Sequence, residues 1–287
     1  MNCLICGAPA ASPKRRVQSP YAPVEYTLFA CGECGSRFFD PTEHAVDLQM
    51  VYDDHAREEG HIGRAFQRSA YWEGEVRRIS QLHTGPVRSV LDVGCRTGDF
   101  LMHWPEAVRR VGVELAAPSA ETALSRGLEI IQVPLEQAEF ATHFDVVTCY
   151  AILEHLTDPR PVLGSLARLV APNGVLVVMV PAFETAKAGI LERMNRRWSQ
   201  YNPPQHFCFY SRQYLDSFFT ARRLALSKRR YAAGGMFNPF RSIRVARWVF
   251  ARGLEWVESH TALSRVPVFD HMYSYYTTTD AAQRPTQ

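Results

Sequence analysis

Lysine is nearly missing from this chain: Lys14, Lys187 and Lys228 are the only three among 32 basic residues. The arginine bias reads first as codon usage and second as bidentate anion binding. The net charge is only +3, too weak to argue for nucleic acid by itself. Long apolar runs are absent. The longest, Val175 to Val180, is strand-sized, well short of the roughly 20 residues of a membrane span. No basic stretch followed by an apolar one opens the chain, so no secretory signal is read and a cytoplasmic location is expected. There is no internal repeat or low-complexity tract. The cysteines number seven, and an odd count without an export signal argues against a disulfide scaffold. What remains is an ordinary globular composition, 46% hydrophobic and 21% charged over 287 residues. That is enough for one large domain and a small appendage.

The pattern along the chain divides into three parts. Residues 1–45 hold two Cys-x-x-Cys pairs among turn residues. Residues 46–85 read as a helical lead-in with Tyr52, Phe66, Tyr71 and Trp72, closed by Gly85-Pro86. From residue 86 to 287, short β-branched runs alternate with helical stretches. The runs are Arg88–Val93, Val108–Val113, Leu128–Val133, Phe144–Tyr150 and Val175–Val180; the helical stretches are Phe100–Glu106, Pro118–Arg126 and Pro161–Val170. Ser211 reads as an N-cap for a helix to about Arg223. Leu224–Tyr231 and Val268–Thr278 would add a sixth and a seventh strand, with a helical insertion (about 235–262) centred on Phe240–Val257 between them. This rhythm predicts an α/β fold: a doubly wound, seven-stranded, mostly parallel sheet.

Cys3-x-x-Cys6-Gly7 and Cys31-x-x-Cys34-Gly35, 24 residues apart, have the spacing of a zinc site. Zn²⁺ takes four tetrahedral ligands and favours thiolates, and two intervening residues let one tight turn present both sulfurs. A glycine after the second cysteine permits positive φ. All four positions are thiols, so the zinc is expected to be structural. Cys95, Cys149 and Cys208 read as small buried apolar residues.

Val90-Leu-Asp92-Val-Gly94-Cys-Arg96-Thr-Gly98 is a buried strand ending in an acid, then a glycine-containing turn before a predicted helix. Such a turn lets a ligand approach the backbone at the carboxyl edge of a sheet. The second strand ends in Glu114, 22 residues after Asp92, where a carboxylate can accept hydrogen bonds from ribose hydroxyls. The dinucleotide pattern G-x-G-x-x-G is not met, and Asp92 would repel a pyrophosphate while favouring a cationic sulfonium. Asp92-x-Gly94-x-x-x-Gly98 resembles the first motif of class I S-adenosylmethionine (SAM)-dependent methyltransferases, and Glu114 their second. Phe144–Tyr150 leading into Glu154-His155, and Pro172-Asn-Gly174 before the fifth strand, resemble that family's later motifs. Arg96 departs from the family's usual middle glycine. The whole arrangement, with its N-terminal zinc ribbon and Pro204-Gln-His206-Phe, is similar to the ubiquinone O-methyltransferase and sugar methyltransferase branches.

The resemblance implies a Rossmann-like methyltransferase fold with SAM held by Asp92, Gly94, Gly98 and Glu114. It also implies Leu115 against adenine, Leu135 and Glu136 at the adenine edge, and Cys149 and Tyr150 at the methionine end. For a hydroxyl acceptor a proton must be removed. His155 is the first candidate base and His206 the second, each with the alternative of a merely packed or backbone-bonded histidine. A metal at Glu154 and His155 is a further, minor reading. The expected activity is methyl transfer to a small molecule, O-directed, on a glycan, lipid precursor or secondary metabolite. An rRNA or tRNA methyltransferase is the alternative, but the zinc segment carries only Lys14, Arg15, Arg16 and Arg37 and no Asp/Asn-Pro-Pro-aromatic motif follows the fourth strand. Nucleic acid is therefore not the expected partner. A non-catalytic SAM-fold scaffold is the third class. The helix Phe240–Val257, with Arg241, Arg244, Arg247 and Arg252, reads as a cover for the sheet or pocket; its sharper reading is weak contact with a membrane surface or a phosphate-bearing carrier.

Overall fold

The computed structural model describes residues 1–44, 69–232, 267 and 269–279. The expected stretch 46–68 and the helix Phe240–Val257 lie outside the described residues. Three strands come first: β1 (Ala11–Gln18), β2 (Glu25–Cys31) and β3 (Arg37–Phe39). Helix α1 (Ser69–Leu82) follows, then β4 (Ser89–Val93), β5 (Arg109–Val113), α2 (Ala117–Ser125), β6 (Glu129–Ile131) and β7 (Phe144–Tyr150). Next come α3 (Arg160–Leu169), β8 (Val170–Pro181), α4 (Ala186–Arg193), β9 (Cys208–Phe209), α5 (Arg212–Thr220), β10 (Leu224–Ala232) and β11 (His271–Thr278).

The main sheet has seven strands in the order β10-β11-β8-β7-β4-β5-β6. The β4, β5, β6, β7 and β8 pairings are parallel, and β11 alone runs against its neighbours β8 and β10. The predicted doubly wound, mostly parallel sheet is observed. Its strands are near-continuous apolar runs because both faces are covered. One face, with Val90, Val146, Val177, Met179 and Tyr273, packs against Trp72 and Ile79 of α1. The other, with Leu91, Val147, Leu176 and Val178, packs against Leu163 and Leu166 of α3 and Leu215 and Phe219 of α5. Among the described residues, no helix is long and apolar enough to cross a membrane.

One predicted element is corrected. The helix expected over Phe100–Glu106 is only a 3-10 turn, Leu101–His103. Pro105 disfavours helical geometry at the residue before it, and Trp104 is extended (φ −85°, ψ 144°). The fifth predicted run, Val175–Val180, is longer than expected and starts at Val170. Ser211 caps its helix as read: its Oγ accepts the Tyr214 N–H at 3.0 Å.

The N-terminal strands form a second sheet, β1-β2-β3-β9, whose last strand comes from residues 208–209. Ile5, Leu28 and Phe38 of this ribbon share one buried cluster with Leu176 and Phe209. A charged network locks α1 onto the sheet. Arg230 donates to Glu75 at 2.6 Å and lies 3.8 Å from the Tyr273 ring centroid. Tyr275 also donates to Glu75, and Arg78 approaches it at 3.2 Å. Burial alone would push the Glu75 carboxyl up, but Arg230 and Arg78 outweigh it and hold the group below its ordinary value.

Candidate active site

The carboxyl ends of β4, β5 and β7 meet at one edge of the sheet. β4 runs into the turn at Gly94 (φ 76°), Arg96 (φ 53°) and Gly98 (φ 79°). A Cβ at Gly94 would lie 2.2 Å from Ile152 Cδ1, and one at Gly98 2.1 Å from Leu128 Cδ1. Both positions therefore favour glycine by conformation, and a side chain at either would have to displace one of these methyl groups. Arg96 adopts the left-handed conformation that a middle glycine would take freely, at a cost of about 1–2 kcal/mol. Its N–H donates to Glu114 Oε2 at 2.9 Å, while Ala116 N–H donates to Oε1 at 2.7 Å. The departure from the family pattern thus keeps the turn, and the strained residue anchors the acid opposite.

Asp92 is 4% exposed and accepts the Thr148 hydroxyl at 2.6 Å. Burial pushes its carboxyl up to about 7, and the Glu114 charge acts in the same direction. Next to Glu114, Leu115 is 59% exposed and Val133 42%. Large apolar side chains left in the open beside a ribose-sized acid suit the flat face of an adenine. Glu136 is exposed, whereas Leu135 and Cys149 are core side chains. Contact between either of those two and a ligand would run through the backbone. Tyr150 packs with Trp72 and Phe100 (centroids 5.5 and 5.4 Å apart), and its buried hydroxyl has no hydrogen-bond partner among the described residues.

Beyond β7, Ala151 turns the chain at φ 53° into the 3-10 turn Leu153–His155. This brings together two histidines 51 residues apart in sequence: the rings of His155 and His206 have centroids 4.8 Å apart. His155 Nδ1 contacts the Gln205 carbonyl at 2.8 Å, and His206 Nδ1 the Gln200 carbonyl at 3.1 Å. Each carbonyl can only accept, so each Nδ1 carries the proton and each lone pair sits on Nε2. Glu154 is 1% exposed, its Oε2 has no hydrogen-bond partner among the described residues, and burial pushes its carboxyl up to about 8. One ligand atom from each of Glu154, His155 and His206 lies within 4.8 Å of the others, a donor set that could also hold a divalent cation. Glu154 was legible as the neighbour of His155; Gln205 carried no signal of its own.

The four N-terminal cysteines converge, with all sulfurs within 4.8 Å of one another. Cys3 and Cys34 sulfurs are 3.8 Å apart, and those of Cys6 and Cys31 3.7 Å. Thiolates held at 2.3 Å around a tetrahedral ion lie roughly 3.8 Å apart, so the set fits zinc. Both knuckles close alike, with Gly7 N–H on the Cys3 carbonyl at 2.9 Å and Gly35 N–H on the Cys31 carbonyl at 3.0 Å. Burial and the neighbouring thiols push Cys6 up to about 11; a bound cation would reverse that shift.

A family model for a methyltransferase domain matches residues 64–226. The chain belongs to this methyltransferase family. A ubiquinone biosynthesis O-methyltransferase from Cronobacter sakazakii is 33% identical over 157 residues, covering 47% of this chain and 60% of that protein. The mitochondrial protein of the same name from Schizosaccharomyces pombe is 34% identical over 105 residues, covering 32% of this chain and 37% of that one. The methyltransferase thus spans 37% to 60% of the length of these two relatives. Its fold is that of a SAM-dependent methyltransferase from Clostridium acetobutylicum (TM-score 0.51, 10% identity, covering 80% of this chain and 100% of that one). One from Archaeoglobus fulgidus is alike (TM-score 0.51, 16% identity, covering 78% and 99%).

Proposed function

We propose that this methyltransferase moves the methyl group of SAM to a hydroxyl of a small-molecule acceptor. The observation that carries this is the shared sheet edge: the Asp92–Glu114 cradle lies on one side and the Glu154–His155–His206 cluster follows β7 on the other. SAM supplies an already activated methyl group; the chain must bind, align, exclude water and remove a proton. Asp92, Gly94, Gly98 and Glu114 hold the cofactor. Leu115 covers the adenine, Glu136 and the Leu135 backbone read its edge, and Tyr150 with the Cys149 backbone faces the methionine end. His155 takes the acceptor proton on Nε2, because the Gln205 carbonyl occupies Nδ1. His206, edge-on to it, limits rotation of the His155 ring. Glu154, kept neutral by burial at pH 7, serves as a hydrogen-bonding acid and adds no negative charge.

The hydroxyl acceptor is favoured by the named activity of the curated relatives. An RNA acceptor is disfavoured because the ribbon's cations are engaged at home. Arg16 pairs with Glu43 and Glu25, and Arg37 and Lys14 with Glu192. The zinc site has four protein thiols and no open position, so its role is structural.

Calorimetric titration of zinc-replete protein with S-adenosylhomocysteine (SAH) tests the reading. Micromolar binding is expected. Glu114→Ala should weaken it by roughly 10- to 1,000-fold, since hydrogen bonds to a charged acceptor contribute about 1.5–3 kcal/mol each. Absence of binding by the folded, unmodified chain would refute the assignment.

A further inference from the structure

We propose that the zinc ribbon is a working part of the acceptor site. Through Tyr21, the tip of its β1–β2 hairpin positions the Gln205 carbonyl that orients His155. This rests on the reading of His155 as the base.

The ribbon touches the methyltransferase domain along its length: in the middle through the β3–β9 pairing and the Arg37 and Lys14 bridges to Glu192, and also at both of its ends. At its zinc end, Ser211 Oγ donates to the Cys34 carbonyl at 2.5 Å and Tyr214 hydroxyl donates to the Ile5 carbonyl at 2.8 Å. The other end is the hairpin tip. β1 and β2 pair from Ala11↔Cys31 to Gln18↔Glu25, so the tip stands roughly 20 Å from the knuckles at a strand rise of about 3.3 Å per residue. At this far end Ser19 Oγ donates to the Pro203 carbonyl at 2.8 Å, and the Tyr21 hydroxyl donates to Gln205 Oε1 at 2.8 Å. Asn202 Nδ2 donates to the same Oε1 at 2.6 Å. The backbone carbonyl of Gln205 then receives His155 Nδ1–H at 2.8 Å. A side chain of the ribbon and the candidate base are thus joined by one intervening residue.

Two further facts point from stability toward a ligand. Gln205 is 2% exposed, yet among the described residues its Nε2 has no hydrogen-bond partner, and neither has Glu154 Oε2. Unpaired buried polar atoms are costly; two of them, in residues that flank His155, leave hydrogen-bonding capacity beside the candidate base that an acceptor could use. Tyr21, in contrast, is 47% exposed. Its hydroxyl donates to Gln205 while its ring is half-exposed, so its replacement by phenylalanine removes that bond and keeps the ring.

The test uses zinc-loaded full-length protein labelled with ¹⁵N-histidine, with His155→Gln to assign the resonances. In the unmodified chain, His155 should show two widely separated ring-nitrogen resonances, the mark of a single Nδ1–H tautomer. In Tyr21→Phe, and more so in Ser19→Ala/Tyr21→Phe, that separation should shrink toward the tautomer average. Zinc content and SAH affinity should stay unchanged, because neither residue is near the thiols or the Glu114 loop. An unaltered His155 signature in the double variant would overturn the proposal. Failure of the unmodified chain to bind SAH would instead refute the cofactor reading, and the His155 comparison would still be readable by itself.

Discussion

Replacing Asp92 by asparagine should stabilise the folded chain at pH 8 by more than twice as much as at pH 5. The carboxyl is 4% exposed. Burial pushes it to about 7 from an ordinary value of 3.8; the Thr148 hydroxyl opposes this and the Glu114 charge adds to it. Between about pH 4 and 7 the folded chain therefore holds a proton that the unfolded chain has released. Stability falls as pH rises through that window, and the penalty is complete above it. A gap of about 3 pH units corresponds to roughly 4 kcal/mol. Asparagine carries no charge and still accepts the Thr148 hydroxyl, so Asp92→Asn should recover about 2–4 kcal/mol at pH 8. At pH 5 the folded aspartate is protonated while the unfolded one is mostly ionised, so the gain should shrink to less than half, roughly 1.5 kcal/mol or less. Urea denaturation of both proteins at both pH values measures this, with a midpoint shift on the order of 1 M at pH 8. SAH titration of the same variant should show weaker binding, since a buried acid kept at such a cost is retained for a ligand. Equal stability differences at pH 5 and pH 8 would refute the reasoning.

Three further outcomes are expected. His155→Ala should keep SAH affinity within about threefold while lowering methyl transfer by on the order of 100-fold or more, the usual range for a lost general base, measured with any acceptor the unmodified chain methylates. Chelation of zinc should lower the melting temperature of the described fold in a single calorimetric transition, because the ribbon's Ile5, Leu28 and Phe38 share a core with Leu176 and Phe209; a separate early transition would show an independent ribbon. Arg230→Met should cost about 3 kcal/mol by leaving the buried Glu75 charge with Arg78 as its remaining cation among the described residues, and Glu75→Gln/Arg230→Met should recover more than half of it in chemical denaturation.

Features written in consecutive residues were legible. Asp92, Gly94 and Gly98 lie within one strand-turn segment, and Glu114 stands at the end of the next strand. Two Cys-x-x-Cys-Gly knuckles declare a metal by spacing alone. The predicted helix over Phe100–Glu106 failed because apolar spacing outweighed a local signal that was present: Pro105 holds Trp104 extended. Arg96 departs from the family's middle glycine, yet the residue takes φ 53° and its N–H bonds Glu114. No pattern in the chain announces that a backbone amide will be satisfied by an acid 18 residues away.

By itself, the amino-acid order determined the sheet's apolar runs, the paired thiols and the Asp92–Gly98 turn, because each depends on periodicity or on residues a few positions apart. Only the tertiary structure decided that β9 completes the ribbon sheet, that Glu75 meets Arg230, and that Tyr21, Gln205, His155 and His206 converge. Those contacts span 50 to 184 residues. Chain connectivity does not favour them over their alternatives; they form because burying the two faces of one sheet and the ribbon in a shared core leaves these side chains no other place to satisfy their hydrogen bonds.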